Sequence, residues 1–149
     1  MSRDIKLVYW DYEDVGSLMT YAFDQHLAIM QGRESLIQNI VKNILTLKGS
    51  NIFDLTVGSS FAAIPGSAQS TSETDLMRTS LVLAIRTLED DIRKRQKSEE
   101  DSGTTLTDNE KLQKISLRSA KFIISTGQWK ITLDIYTEDE TITTISLPL

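Results

Sequence analysis

The hydrophobic positions between residues 34 and 50 recur every three or four residues, which predicts a helix with one wide apolar stripe. The stripe consists of Leu36, Ile37, Ile40, Val41, Ile44 and Leu45. The opposite face is expected to carry the polar residues Gln38, Asn39, Lys42 and Asn43. Gly49 follows where a C-terminal glycine is expected, with Lys48 beside the negative end of the helix dipole, so we expect the helix to stop there.

A second and longer helix is predicted from about Ser72, after a loop at residues 64–74 that is rich in Ser, Thr and Gly. Its apolar stripe consists of Leu76 or Met77, Leu81, Ala84 or Ile85, Leu88 and Ile92. The stripe fades into a mixed-charge run up to Asp101, so we expect the charged end of this helix to project into solvent. Thr107 and Glu110 then have the spacing of a capping box, which predicts one or two further helical turns.

The last third of the chain changes to the two-residue period that is typical of strands. Its pattern alternates apolar and polar residues, with Trp129, Ile131, Leu133 and Ile135 on one face and Lys130, Thr132, Asp134 and Tyr136 on the other. A polar turn follows at residues 138–140, and a return strand is predicted at residues 141–147, before Pro148. Further strands are expected at residues 116–125 and 5–10, whereas residues 18–30 could form a strand or irregular structure.

This order of elements predicts one α+β domain over residues 1–149, with helices packed on one face of a mainly antiparallel sheet. A length of 149 residues, 40% of them hydrophobic, suits a single core. The net charge of -5, without a local basic patch, argues against nucleic acid as a partner. No stretch approaches the roughly 20 apolar residues of a membrane span, so no membrane partner is expected. Without cysteines or a secretory signal, the expected place of synthesis is a reducing cytosol.

None of the residue patterns requires a catalytic, metal or cofactor site. The Lys-Gly-Ser order at residues 48–50 is the reverse of that in a phosphate-binding loop, and we interpret it as a helix stop. His26 is the single histidine, so a histidine metal site or a Ser-His-Asp relay lacks convergent groups. The carboxylates around Glu89 and Glu99 lie in charge-rich sequence, whereas a glycosidase needs one acid in an apolar pocket.

The predicted terminal strand is β-branched and nearly uncharged. At a sheet edge, its free N–H and C=O groups could pair with a strand from another protein. The alternative is an interior strand that is already paired on both sides, and the sequence leaves both open. If the edge interpretation holds, proline at Thr143 or Ile145 is expected to remove a ladder donor.

The order of motifs in residues 27–60 resembles the signature of the sheath-initiator, or baseplate wedge, proteins of contractile phage tails and related injection machines. That signature has a Gly, a helix with Gln near its start, Leu-Thr-x-x-Gly, an Asp and a Gly-Ser pair. The matching residues are Gly32, Leu36, Gln38, Leu45, Thr46, Gly49, Asp54, Gly58 and Ser59. The long helix and terminal hairpin follow in the family's order, so the resemblance covers the chain from about Asp11 onward. Many members carry Glu-Pro-Arg near the end of that helix, where this chain has Glu89, Asp90 and Asp91, so only Glu89 is carried over.

The resemblance implies a structural, non-enzymatic protein with a fold like the strand-exchanging domain of tail sheath proteins. Such proteins form a sixfold ring at the base of the tail tube, in the virion tail baseplate assembled in the host cytoplasm, and accept arms from the first sheath ring. The implied partners are the tail sheath protein, baseplate wedge proteins, the tail tube or hub, and further copies of the chain. Together with the edge interpretation, this assigns partner binding to Glu89, Thr141, Ile142, Thr143, Thr144, Ile145, Ser146 and Leu147.

Two alternatives to this role stay open at the level of sequence. Some members of the family have been described as having lysozyme activity, so one alternative is a small peptidoglycan-cleaving enzyme that uses Glu89 or Glu99 with a nearby Asp. The other is a tail adaptor with the same fold and no contact to the sheath.

Overall fold

The computed structural model describes residues 3–5, 29–64, 74–125 and 127–148. In chain order these ranges contain β1 (Arg3–Ile5), β2 (Ile29–Gln31), α1 (Arg33–Leu45), a 3-10 helix (Phe61–Ala63), α2 (Thr74–Asp101), β3 (Leu112–Ile123), β4 (Gln128–Thr137) and β5 (Ile142–Pro148). Both helices share one hydrophobic core with an antiparallel sheet of β3, β4 and β5. The predicted α+β class is therefore confirmed.

Helix α1 carries the apolar stripe that the three-four period predicts. Its inward side chains are buried, and Ile40 and Ile44 have no exposed surface at all. Leu45, the last residue of the predicted stripe, is 36% exposed at the end of the helix. The expected polar face is wrong at two positions, because Gln38 and Asn43 are buried. Buried amides need hydrogen-bond partners, so these two residues point to a polar network inside the fold.

Helix α1 ends at Leu45, so the helix stop expected at Gly49 is wrong. Thr46 already leaves the helix in an extended conformation. Gly49 does have a positive φ of 81°, but it belongs to the turn that follows. The Lys48 side chain forms an ion pair with Asp91 of α2 at 2.5 Å, so it connects the turn to the second helix.

The chain after this turn folds back onto the end of α1 around Gly58. The N–H of Ser59 donates to the carbonyl of Thr46 at 2.8 Å. The N–H of Gly58 donates to Oδ1 of the buried Asn43 at 3.0 Å, and the same oxygen accepts a hydrogen bond from Arg95 of α2, also at 3.0 Å. One buried amide therefore joins α1, the returning loop and α2.

Helix α2 begins at Thr74, close to the expected start at Ser72, and it ends at Asp101 as predicted. Its stripe is confirmed, and its buried residues are Met77, Leu81, Ala84, Ile85, Leu88 and Ile92. Leu76, the alternative to Met77 in the predicted stripe, is 68% exposed. The long helix therefore presents one continuous apolar face to the sheet and to α1.

The charged end of α2 is mostly exposed, as expected, and the chain leading into β3 folds back along one side of it. The amide nitrogen of Gln96 donates to the carbonyl of Glu110 at 2.6 Å, and Lys111 pairs with Glu100 at 2.9 Å. The N–H of Thr107 donates to the buried Glu110 carboxylate at 2.9 Å, which is one half of the predicted capping box. These residues form a single turn and no helix.

Strand β4 lies in the middle of the sheet and pairs with both β3 and β5 in antiparallel fashion. Its predicted alternation is confirmed, with the buried residues Trp129, Ile131, Leu133, Ile135 and Thr137. The neighbouring strands add Ile115, Ile145 and Leu147 to the same buried face. The terminal hairpin is therefore confirmed. Of the strand expected at residues 116–125, residues 116–123 belong to the longer β3, and residues 124 and 125 lie in the turn that follows.

The described part of the N-terminal region is a two-stranded antiparallel ribbon of β1 and β2. It overlaps the strand expected at residues 5–10 at a single position. Residues 6–10, residues 18–28 and most of the loop expected at 64–74 lie outside the described residues, so those expectations stay predictions.

The turn between β4 and β5 consists of Glu138, Asp139 and Glu140, as predicted. Glu140 has a φ of 62°, in the left-handed region that favours glycine, and its N–H donates to the carbonyl of Thr137 at 3.0 Å. The Thr137 hydroxyl donates to the Asp139 carboxylate and, with hydrogen bonds from Thr141, lowers the pKa of Asp139. This contribution to stability is present above the usual Asp pKa of about 4 and is lost as the pH falls through the lowered value.

Replacing Gly58 with alanine is expected to lower the free energy of unfolding by about 2 kcal/mol or more. A Cβ atom here would lie 2.7 Å from the Thr46 carbonyl oxygen and 2.9 Å from the Leu47 carbonyl carbon, at a φ of 107°. Gly49→Ala is the matched control, since Gly49 also has a positive φ but a Cβ there meets nothing within 4 Å. The control should lose only about 1 kcal/mol. Urea denaturation measures both, and equal losses would contradict the steric argument.

Replacing Glu140 with glycine is expected to raise the free energy of unfolding by about 0.5–1 kcal/mol, because glycine adopts the left-handed conformation without strain. Glu138→Gly is the control, because Glu138 lies in the same turn but has no positive φ. There, glycine only adds freedom to the unfolded chain and should lower stability by a similar amount. Thermal and urea unfolding of the two variants give the comparison, and a stability loss at both positions would refute the strain at Glu140.

Candidate functional site

Strand β5 is an edge strand, since in the described part of the chain it pairs with β4 and with no other strand. Among the described residues, β5 therefore takes the edge position, one of the two that the sequence left open. Ile145 and Leu147 are buried in the core and fix the strand against the helices. The outer side of β5 is thus a well-anchored sheet edge.

The register of the hairpin decides which main-chain groups of β5 face outward. The N–H of Thr137 donates to the carbonyl of Thr141 at 3.1 Å, and in an antiparallel ladder every second pair is bonded in this way. Thr143 and Ile145 therefore direct their N–H groups towards β4. Proline at these two positions would remove hydrogen bonds within the hairpin, and not, as expected from the sequence, donors for a partner strand. The outward N–H groups belong to Ile142, Thr144 and Ser146.

The polar side chains along β5 are held by neighbouring strands on the sheet face opposite the helices. The Thr144 hydroxyl donates to Asp134 at 2.6 Å, and Arg118 of β3 lies 3.6 Å from the same carboxylate. The hydroxyl oxygens of Thr132 and Ser146 are 3.1 Å apart. Because these side chains bond to one another, the outward main-chain groups of β5 are what the edge offers to a partner.

Strand β3 forms the other edge of the sheet, and side chains of α2 bind the main chain at its start. The amide nitrogen of Gln96 donates to the carbonyl of Glu110 at 2.6 Å, while its amide oxygen accepts from the N–H of Leu112 at 3.0 Å. A side-chain amide that donates and accepts in this way replaces the peptide group of a neighbouring strand.

Glu89 and Arg93 continue this arrangement further along β3. The Glu89 carboxylate accepts from the N–H of Ile115 at 2.9 Å, and the Arg93 guanidinium donates to the carbonyl of Gln113. The two side chains also form an ion pair at 3.0 Å. The Glu89 side chain is only 15% exposed, so the residue expected to bind a partner lies in the contact between α2 and β3. Its contact with a partner stays a prediction.

Sequence reasoning missed the roles of Arg93 and Gln96. Together with Glu89 they recur at spacings of four and three residues, so all three lie on one side of α2. They border the buried positions Leu88 and Ile92. A polar stripe along the border of an apolar stripe is the signal that could have found them, because side chains there can reach the main chain of the next element.

The other residues considered for chemistry lie apart from these edges. Lys48 is paired with Asp91, Glu99 is exposed near the end of α2, and His26 lies outside the described residues. Within the described ranges, no three carboxylate or histidine side chains gather into a possible metal site. In the same ranges, no helix has the length and apolar character needed to cross a membrane.

Replacing Glu89 with alanine is expected to lower the free energy of unfolding by about 1–3 kcal/mol, because the N–H of Ile115 loses its acceptor. Glu89→Gln keeps an acceptor oxygen and should lose less. Asp90→Ala, at the exposed neighbouring carboxylate, is the control and should change little. Amide hydrogen exchange at Ile115 should accelerate in Glu89→Ala alone, whereas unchanged exchange would contradict the structural role of Glu89.

Comparisons with known proteins identified no relative of this chain. No protein-family model, no curated protein and no solved structure matches the chain. A connection to contractile-tail baseplates therefore rests on the sequence resemblance alone.

Proposed function

We propose that this protein is a structural component of the baseplate of a contractile phage tail or a related injection machine. Copies of it form a ring around the base of the tail tube and nucleate the sheath by accepting sheath strands at β5. The single observation that carries this proposal is the β5 edge, which is anchored by its buried side and has no neighbouring strand on its outer side within the described part of the chain. Strand addition to such an edge is an established way for one chain to recognise another.

The β5 edge provides a limited number of hydrogen bonds to an incoming arm. Outward N–H groups are present at Ile142, Thr144 and Ser146, and Pro148 has none, so pairing weakens at that end. Each hydrogen bond contributes about 1 kcal/mol net, and ordering each residue of a free arm costs a comparable free energy. A single arm should therefore bind weakly. Repetition around a closed ring raises the effective concentration of the remaining arms and makes the join firm.

The other partners in this proposal bind elsewhere on the chain. In this proposal the sheath arm binds at β5. Other surfaces would contact the wedge proteins, the tube or hub, and neighbouring copies. Glu89 enters the proposal through the resemblance. Because its carboxylate is already bound to Ile115 and Arg93, we assign it the role of shaping a wedge-contacting surface of α2.

The two alternatives are a tail adaptor and a peptidoglycan-cleaving enzyme, and each makes a different demand on the structure. A tail adaptor with the same fold would leave the β5 edge without a partner, so location in the particle separates it from a sheath initiator. The peptidoglycan-cleaving alternative requires a free acid in an apolar pocket. The Glu89 carboxylate is bound within the fold, and Glu99 is exposed near the end of α2. No observation among the described residues favours that enzyme over a structural protein.

Replacing Thr144 with proline is expected to block strand acceptance while leaving the domain folded, because the lost N–H faces away from β4. Thr144→Val is the matched control, since it removes the hydroxyl bond to Asp134 but keeps the N–H, and it should assemble normally. Thr143→Pro should instead unfold the hairpin, because its N–H faces β4. Electron microscopy of particles from the producing cells, with circular dichroism of each purified variant, provides the measurement. Full-length sheathed tails with a folded Thr144→Pro variant would refute the mechanism.

Cross-linking mass spectrometry on intact particles tests the location of the protein independently of any variant. Lys130 pairs opposite Pro148, at the far end of β5, and Lys121 lies on β3. Links from Lys130 to the termini of the sheath protein are expected. Links to other tail components alone would favour the adaptor, and absence of the chain from particles would refute the baseplate proposal.

A further inference from the structure

Three large apolar side chains lie close together at the tip of the loop that follows α1. Ile52, Phe53 and Leu55 are 84%, 93% and 64% exposed. Single exposed apolar residues are ordinary on protein surfaces, but three within four positions form an apolar surface that favours contact with a partner. The N–H of Phe53 donates to the side chain of Asn51 at 3.0 Å, so the main chain is bonded where its side chains face solvent. We call residues 51–56 the loop tip.

The loop tip carries one negative charge and no positive one. The hydroxyl of Thr56 donates to the Asp54 carboxylate at 2.5 Å, and the N–H of Thr56 donates to the same oxygen at 2.9 Å. These hydrogen bonds lower the pKa of Asp54, so its carboxylate is ionised at neutral pH. A charge between apolar side chains disfavours insertion into a lipid bilayer. The loop tip is therefore suited to an apolar protein pocket that has a cation beside it.

A pocket of this kind lies between the first turns of α2 and the second half of β3. It has a volume of about 230 Å³, and its apolar lining consists of Met77, Leu117, Ala120 and Trp129. Met77 and Trp129 are buried, while Leu117 and Ala120 are partly buried against the core. Arg78 lies beside this apolar lining, is exposed, and forms no ion pair with any described residue. The pocket thus combines apolar surface with an available positive charge.

The other cations in the pocket lining belong to the opposite face of the sheet. Lys121 alternates with the inward Ala120, and Arg118 is bound to Asp134 on the face away from the helices. Among the described lining residues, Arg78 is therefore the cation on the helix side of the pocket. A ligand that enters there needs apolar side chains and a single neighbouring carboxylate, which is the composition of the loop tip.

We propose that the loop tip of one copy of this chain inserts into the pocket of a neighbouring copy, with Phe53 on the apolar lining and Asp54 beside Arg78. This inference rests on the proposed function, which places copies of the chain in a ring, and it names the contact between them. The contact joins two different surfaces of the chain. Head-to-tail contacts of this type are the ones that close into rings.

The positions of the two surfaces favour a contact between copies over one within a chain. The base of the loop is paired with α2 at Asp91 through Lys48, whereas the pocket includes Met77 near the start of the same helix. At 1.5 Å per residue, these two positions on α2 are about 21 Å apart along the helix axis. A six-residue tip is much smaller than the 20–30 residues per side of a standard interface, so two copies alone should associate weakly. Ring closure would strengthen the contact.

A dilution series of the isotope-labelled full chain, followed by NMR, tests the contact. Between about 0.05 and 1 mM protein, amide signals of the loop tip and of the pocket are expected to shift together. Phe53→Ala removes the apolar anchor, and Arg78→Glu places two carboxylates opposite each other, so each should weaken self-association about tenfold. Leu83→Ala and Lys94→Glu are the matched controls, because both residues are exposed on α2 outside the pocket, and they should leave association unchanged.

Mixing the two defective variants tests the head-to-tail arrangement. Phe53→Ala keeps an intact pocket and Arg78→Glu keeps an intact loop tip, so the mixture should regain the association that neither variant shows alone. A mixture that stays dissociated, shifts confined to the loop tip, or no concentration dependence of the unmodified chain up to about 1 mM would overturn the proposal. Shifts of the loop tip with phosphatidylcholine vesicles and not with protein concentration would also overturn it.

This experiment fails separately from the proposed function. It uses the purified chain, so a missing contact between copies would leave the location of the protein in the baseplate untouched. Absence of the chain from tail particles would instead refute the proposed function.

Discussion

The contact between α2 and the start of β3 is the constraint on which the rest of the structure depends. A three-stranded sheet has two edges, and the main-chain groups along an edge must find partners in water, in the protein or in another chain. Here Glu89, Arg93 and Gln96 supply those partners at the start of β3. This places the long helix against one edge and sets its apolar stripe over the sheet. Among the described elements, β5 is left as the edge without a neighbour.

A second polar contact fixes the first helix relative to this frame. The buried Asn43 amide accepts hydrogen bonds from Gly58 and Arg95, so it connects the end of α1, the loop after it and α2. Lys48 strengthens the same connection through Asp91. The loop that these contacts hold presents the apolar residues Ile52 and Phe53 to solvent, at 84% and 93% exposure. Polar contacts thus join these parts of the small domain in addition to its core.

The sequence predicts most of the fold because hydrophobic periodicity reports directly on burial. The stripe of α2 and the alternation of β4 were both readable in this way, and both are confirmed. The helix end expected at Gly49 was wrong for a physical reason. Glycine with a positive φ favours a turn, but this turn follows Thr46, which is already extended and outside the helix. The burial of Asn43 could not be predicted from the sequence, because it depends on hydrogen-bond partners that are distant along the chain.

The sequence predicts the candidate site only in part. It does not predict how the two edges of the sheet, β3 and β5, differ. A β-branched terminal strand can be seen in the sequence, but its edge position depends on the order of strands. The binding of β3 by α2 depends on three side chains that meet the main chain of another element.

That difference between the edges bears on how β5 is interpreted. Natural proteins protect edges with charge or by covering them, and β3 shows both, with α2 at its start and Arg118 and Lys121 further along. Strand β5 carries no charged side chain, and Pro148 protects only its end. The same sheet thus has one edge that is covered and charged, and one edge without charged side chains. Among the described strands, β5 is therefore the edge that a partner strand would reach most easily, which is the basis of the proposed function.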